Sequence, residues 1–359
     1  MPIRKRAKLR PETVSDGPNS PGMKEIAERV GVSKTTVHRA LTGSGRISAR
    51  TRERIVAVAA ELDYAPNIVA RSLRRQRTGT IGIITNGMSN SFYPSLLAAI
   101  EEAATGQGFS LLLACSSGSP EIESANIELL REKRVDGLLV SPASPVRNAA
   151  DYERLKRAGV PFVYIDRFIP SVGADAVMTD HHLAGQIIAS HLIGAGRRDI
   201  GVILPLNERQ QVTSIQERMA GLMEVAGRRD ARVTLIGDTA VTGPWEDYAA
   251  QSLGAFLDRG GRVDAVFGIN DQIALGAMWA CHNRGLRVPD HVAVVGYDDL
   301  EISSFVTPRL TTIRQPTRQI AWEAVKLLLS AIGSGRPEEP VHMRLRPTLM
   351  ERESTPRVR

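Results

Sequence analysis

Cysteine is scarce: Cys115 and Cys281 are the only two in 359 residues. Two in a chain of this length build no disulfide framework. They fit a reducing compartment, where free cysteine packs as a small hydrophobe. No apolar run approaches the roughly 18 residues that suggest a membrane span. The basic start, Met1-Pro2-Ile3-Arg4-Lys5-Arg6, leads into no apolar signal core, so a cytoplasmic place is expected rather than secretion. Nucleotide fingerprints are missing as well. Gly194-Ala195-Gly196 runs into Arg197-Arg198-Asp199 instead of a third glycine and follows a helical stretch, and no Gly-x-x-x-x-Gly-Lys-Ser/Thr loop occurs. His181 and His182 are adjacent where a helical metal pair needs i, i+4 spacing, so a surface or capping role is expected for them. Asp298-Asp299 has no third carboxylate nearby at ligand spacing. Neither a metal nor a cofactor is expected, and no solenoid period is evident.

What is present is an uneven distribution of charge. The net charge of +7 splits into +10 over residues 1–77, where 17 Lys/Arg face 7 Asp/Glu, and −3 over the remainder. A polyanion-binding head on a near-neutral body is the reading this split supports. A solvated basic tail accounts for residues 1–10 but not for Arg71, Arg74, Arg75 and Arg77, more than 60 residues further on.

The chain also changes character along its length. Residues 1–21 lack apolar periodicity and carry Pro11, Gly17, Pro18 and Pro21, which suits a disordered basic arm. Residues 23–64 read as three short helices. From Thr80 onward, apolar runs of three to five residues (Ile81–Thr85, Leu111–Cys115, Gly137–Val140, Phe162–Ile165, Ile200–Leu204, Val233–Ile236, Ala265–Phe267, Val292–Val295) alternate with helical stretches such as Glu121–Arg134 and Gln272–Asn283. Unbroken short apolar runs suit parallel strands buried on both faces, and regular alternation means an α/β architecture. Spacing alone leaves one barrel or two sheets open.

In the head, Ile26, Ala27 and Val30 make an apolar stripe that stops at Gly31, a residue able to close a helix in the left-handed conformation. Val32 is an apolar turn residue, and Ser33 is a good N-cap for a second helix whose inner face is Val37, Ala40 and Leu41. Lys34, Thr35, His38 and Arg39 remain outside near its start. A short helix with a buried inner face and a polar N-terminal outer face suits the major groove; a plain surface hairpin is the alternative. A third helix runs from Ser48 to Leu62. After Pro66-Asn67, the stretch to Arg77 places Leu73 beside Arg74 and Arg75, either a minor-groove wedge or a charged linker.

These features, taken with Gly31-Val32-Ser33, Arg39-Ala40-Leu41, Pro66-Asn67, Val135-Asp136-Gly137, Ile165-Asp166-Arg167, Asn270-Asp271, Val295-Gly296-Tyr297-Asp298-Asp299 and Leu310-Thr311-Thr312, make the chain resemble the lactose-repressor/galactose-repressor (LacI/GalR) family of bacterial transcriptional regulators over residues 23–353. The resemblance implies an α/β body of two Rossmann-like, periplasmic-binding-protein-like subdomains, crossed three times by the chain, behind an N-terminal all-α helix-turn-helix head. The implied division is arm 1–21, head 22–65, hinge 66–78, first subdomain 79–179 with 313–345, second subdomain 180–312, and tail 346–359. Implied DNA contacts are Lys34, Thr35, Thr36, His38 and Arg39 from the second helix, and Asn67, Ala70, Arg71, Leu73 and Arg74 from the hinge. Four positions depart from the family pattern: Gly22 for Thr, His38 for Ser, Thr42 for Asn and Asp63 for Gly.

Ligands of open α/β sheets bind beyond the carboxyl ends of the strands. There the chain offers Asn90, Phe92, Tyr93, Asp166, Arg167, Asn270 and Asp298, a polyol-binding inventory of carboxylates, amides and guanidinium groups with aromatic faces. The resemblance adds Arg218, Trp245 and Gln315. The expected function is a repressor that binds a near-palindromic duplex operator as a homodimer and answers to a small, sugar-like effector. The tail lacks the heptads of a tetramerising coil. The rivals are a sugar-binding protein without a DNA role and a sugar-handling enzyme, and salt-dependent DNA retention separates them.

Overall fold

A computed structural model of the chain describes residues 22–64, 77–88, 92–207, 211–238, 240, 243–334 and 339–356. The basic arm and most of the hinge, with Asn67, Ala70, Arg71, Leu73 and Arg74, lie outside these residues, as does Asn90. The chain divides into two compact units, residues 1–75 and 76–359.

The first unit holds α1 (Met23–Val30), α2 (Lys34–Thr42) and α3 (Ala49–Glu61). Gly31, at φ 75°, ends α1 in the left-handed region. Ser33 caps α2 by accepting from Thr36 N at 3.1 Å, and Ser48 caps α3 in the same way from Thr51 N at 3.2 Å. Gly22 supplies no side-chain cap to α1. The helices close over Ile26, Ala27, Val30, Val37, Ala40, Ile55 and Ala59. Asp63, where the family pattern has Gly, takes φ 47°, a left-handed conformation that Asp tolerates better than most residues.

In the second unit the chain builds one sheet, then another, then returns to each. β1 (Thr80–Thr85), β2 (Ser110–Cys115), β3 (Gly137–Val140), β4 (Phe162–Ile165) and β5 (Ala176–Thr179) come first, interleaved with α4 (Phe92–Thr105), α5 (Pro120–Glu132) and α6 (Ala149–Arg157). After α7 (His181–Gly194) follow β6 (Asp199–Ile203), α8 (Thr213–Arg228), β7 (Arg232–Ile236), α9 (Trp245–Asp258), β8 (Ala265–Gly268), α10 (Asp271–His282), β9 (Ala293–Tyr297) and β10 (Thr311–Arg314). Finally α11 (Thr317–Ser334) leads to β11 (His342–Leu345), which joins the first sheet, and β12 (Thr348–Met350), which joins the second. The orders are β11-β5-β4-β3-β1-β2 and β12-β10-β9-β8-β6-β7, so the chain crosses between two sheets three times. All pairings are parallel except β10 with β12. Two sheets rather than one barrel is thus the outcome.

Two expected boundaries move. β10 belongs to the second sheet as far as Arg314, beyond the expected edge at 312. Residues 346–356 are not a tail. β12 pairs antiparallel with β10, and Ser354 and Thr355 are buried. Ser354 Oγ donates to Val294 O at 2.6 Å and accepts from Thr311 N at 2.8 Å, while Thr355 Oγ1 meets His191 Nε2 at 2.8 Å. A three-residue strand carries no periodicity of its own, so only its partner marks it.

Candidate functional site

The carboxyl ends of both sheets open into one cleft of about 580 Å³. Phe92, Tyr93, Asp166, Arg167, Arg218, Trp245, Asn270, Asp298 and Gln315 all line it.

On the first-sheet wall Asp166 follows β4 at φ 66° and is buried. The Tyr93 hydroxyl donates to its Oδ2 at 3.1 Å, and Arg167 Nε donates to the same oxygen at 3.3 Å. Arg167 Nη2 also donates to the Tyr93 oxygen at 3.2 Å, and Ser141 Oγ lies 2.9 Å from it. Burial alone would raise the Asp166 pKa, but the His181 hydrogen bond and the Arg167 charge outweigh it and hold the carboxyl well below the usual range. Burial pushes the Tyr93 hydroxyl the other way, so it stays a donor.

On the second-sheet wall Arg218 rises from α8. Its Nε donates to Ser214 O at 2.9 Å, its Nη1 to Ile269 O at 2.7 Å, and its guanidinium carbon sits 4.0 Å from the Tyr297 ring centroid. The helix that carries it lies close because Gly185 of α7 and Gly221 of α8 face each other's neighbours. A methyl at either would overlap the carbonyl oxygen of Arg218 or of His182. Asp298, at φ 108°, accepts from Gln315 Nε2 at 2.7 Å, and Gln315 Oε1 accepts from Thr179 Oγ1 at 2.5 Å. Burial and then the neighbouring Asp271 carboxyl push Asp298 well above the usual carboxylate range. Asp271 itself is pushed up to about 6 by burial, despite accepting from Leu300 N, Ser303 Oγ and Thr312 Oγ1 at 2.7, 2.7 and 2.5 Å. Asn270 spends Oδ1 on capping α10 through Ile273 N at 2.8 Å, which leaves its NH₂ as the group it can offer a ligand.

Two residues missed at the sequence level stand out. His181, for which the sequence suggests a surface or capping role, is fully buried. Its Nε2 lies 3.0 Å from Asp166 O in one subdomain and its Nδ1 2.8 Å from Tyr297 Oη in the other. Only His182 is partly exposed, against Glu224 at 3.1 Å. Asn86, directly after β1, also lines the cleft, and its buried Oδ1 has no partner. The rule that ligands sit past strand ends applies to Asn86 as much as to Asn90.

In the first unit, Lys34, Thr35 and Arg39 are exposed on α2, and Thr36 and His38 half-buried. The Thr36 hydroxyl is engaged with Ser33 Oγ at 2.9 Å, so it belongs to the cap as well as to the outer face. Among the described residues, no group of three or more His, Cys, Asp and Glu could hold a metal ion, and no helix is long and apolar enough to cross a membrane.

A helix-turn-helix unit coupled in one chain to a two-sheet body with a polar cleft defines a ligand-responsive DNA-binding regulator. Residues 22–67 match the bacterial regulatory proteins of the lacI family, and residues 189–355 match the periplasmic binding protein-like domain. The chain is 33% identical over 335 residues to the ribose operon repressor of Haemophilus influenzae, covering 92% of this chain and 98% of that one. It is 31% identical over 340 residues to the transcriptional repressor PurR of Vibrio vulnificus, covering 94% and 99%. Among solved structures it superposes on the lac repressor dimer bound to operator and an anti-inducer with a TM-score of 0.82, at 28% identity over 93% of this chain and 99% of that one. A lacI-family regulator from Enterococcus faecium with bound ribose matches with a TM-score of 0.65, at 26% identity over 77% and 98%. The chain belongs to the lacI family of bacterial regulatory proteins. Like these repressors it is a regulator, not an enzyme.

Proposed function

We propose that the chain is a cytoplasmic, nucleoid-associated repressor that binds a near-palindromic operator as a homodimer and whose effector is a sugar or sugar derivative. The observation that carries the effector reading is the cleft. Carboxyl, guanidinium and amide groups from two sheets converge there with the rings of Phe92 and Trp245. Hydroxyl groups need such paired donors and acceptors, and sugar-ring faces need apolar surface. A ligand that touches Asp166 and Arg167 on one wall and Arg218 and Asp298 on the other favours one angle between the subdomains. It shifts the population by as much as its affinity differs between the two states. The ribose-bound relative supports a sugar.

On DNA, Lys34, Thr35, Thr36, His38 and Arg39 face base edges and adjoining phosphates. Asn67, Ala70, Arg71, Leu73 and Arg74 of the hinge meet the minor groove, with Leu73 as the wedge. The test titrates operator and scrambled duplexes across salt with wild type and the Lys34→Ala/Thr35→Ala variant. Loss on the operator alone, about 1–3 kcal/mol per base contact, supports the assignment. Equal loss on both duplexes overturns the choice of reading face. Screening sugars and nucleobases by thermal shift then decides the effector class, since a ligand at 100 times its Kd adds about 2.7 kcal/mol.

A further inference from the structure

α8 belongs to the second subdomain, where Gly185 of α7 and Gly221 of α8 let the two helices meet backbone to backbone. Its first two turns nevertheless bond to the first subdomain. Thr213 Oγ1 accepts from Phe168 N at 3.1 Å and donates to Phe168 O at 3.4 Å, just past β4. Four residues on, Glu217 takes both ends of the Arg344 fork on β11. Arg344 Nη1 donates to Oε2 at 2.6 Å and Nη2 to Oε1 at 2.8 Å. Residues at i and i+4 share a helix face, so one face of α8 meets the first subdomain at two points. The receiving points are themselves joined, because the rings of Phe168 and of His342 on β11 pack edge to face at 4.9 Å. His181 and Gln315 also bond between subdomains, but they sit where the chain crosses from one to the other. Thr213 and Glu217 lie on an element that never leaves the second subdomain.

We propose that Thr213 and Glu217 are positioning residues: they clasp Phe168 and Arg344 and so set the angle between the two subdomains. This goes beyond the sugar reading and holds for whatever small molecule the cleft takes. The reasoning rests on rigidity. α8 moves with its own subdomain, while Phe168 and Arg344 move with the first sheet, so a change of angle lengthens the bonds at both points. The four groups meet at one angle only, and they favour that angle over any other. The Glu217–Arg344 pair has fork geometry but is not sealed from water, with side chains 20% and 37% exposed. Its contribution is therefore modest and falls as salt rises. A modest bias is what a switch requires, because a ligand shifts the angle only by its own difference in affinity.

The test measures distances by double electron–electron resonance on the full chain without ligand, so that no effector is assumed. Nitroxides are placed at Arg157→Cys in α6 with Gln251→Cys in α9, and at Glu132→Cys in α5 with Gln251→Cys. The background is Cys115→Ser/Cys281→Ala, and excess unlabelled chain confines the signal to pairs within one chain. Glu217→Arg and Arg344→Glu each bring like charges together. Each should shift the ratio of angles on the order of tenfold, read as the growth of a second distance. The exchanged pair, Glu217→Arg with Arg344→Glu, restores the attraction with its signs reversed. Because Asp180 also acts on Arg344, the exchange should recover most of the wild-type distribution rather than all of it. Sodium chloride at about 1 M, where the Debye length is about 3 Å, should move wild type toward the single variants. Thr213→Val should give a smaller shift in the same direction. A role in stability alone would lower the melting temperature and leave both distances where they were. If a single reversal does not fold, Glu217→Gln and the salt comparison decide in its place. Distances that stay unchanged when the pair is broken, or an exchanged pair no closer to wild type than the single reversals, overturn the clasp.

Discussion

The head and the body place their working groups in opposite environments. Lys34, Thr35 and Arg39 stand in solvent on α2, and only the apolar inner face of that helix is buried. The body's Tyr93, Asp166, Arg218 and Gln315 are buried, and each is fixed by hydrogen bonds to groups remote in sequence. In solvent a charge acts over a screened distance, which suits a polyanion met along many contacts. Under burial each charge alters its neighbours, so Asp166 is driven down while Asp271 and Asp298 are driven up. The body can therefore respond to one small molecule, because displacing one partner changes the state of several groups.

The largest test of this contrast removes the head's core. Ile55 is fully buried among three short helices, and truncating a buried Ile to Ala costs about 2–5 kcal/mol, on the scale of a small domain's whole stability. Ile55→Ala should abolish operator binding and leave the body's thermal transition where it was. A body transition that shifts along with the head's would mean the two units do not unfold independently.

The second test concerns buried charge. Glu123 is fully buried, accepts from Tyr152 Oη at 2.8 Å and Ala143 N at 2.6 Å, and burial pushes it up to about 7. The folded state holds this proton to a higher pH than the unfolded chain does. Its contribution to stability is complete below the unfolded pKa, near 4.5, and is lost as pH rises through about 7. The expected loss is on the order of 3 kcal/mol. Glu123→Gln can keep both hydrogen bonds, with Tyr152 turned to accept, and should flatten this slope. Urea melts at pH 5 and pH 8 check it; parallel slopes in wild type and variant would place the charge in a solvated setting. Because Ala143 lines the cleft, the same variant asks whether Glu123 shapes that wall.

The smallest effect returns to the head. Ser33 caps α2 in an exposed place, so Ser33→Ala should cost about 1 kcal/mol and no more. Head melting followed by circular dichroism reads it, and a loss several times larger would mean that the hydroxyl does more than cap.

How much of this was legible beforehand follows the range of the interactions. The head's three helices, with Gly31, Ser33 and Ser48 at their ends, lay in the sequence because stripe, cap and stop are separated by only three or four residues. So did the eight short apolar runs, each of which overlaps a strand. Nine of the ten expected effector residues line one cleft: six were legible as residues past strand ends, which are local features, and Arg218, Trp245 and Gln315 only through the resemblance. β5, β10, β11 and β12 had not been read as strands. Each is three or four residues long and is defined by a partner strand elsewhere. His181 looked like a surface histidine because nothing local shows that its ring sits between Asp166 and Tyr297.

The sequence by itself determined the class of the molecule: a basic helical head, an alternating α/β body, and polar residues past the strand ends. Only the tertiary structure decided which of those residues share a proton or a charge. Asp271 and Asp298 interact across 27 positions, and Gln315 bonds Thr179 across 136. The physical reason is that periodicity and capping act within a turn or two of backbone. Desolvation and ion pairing depend on what the finished fold brings alongside.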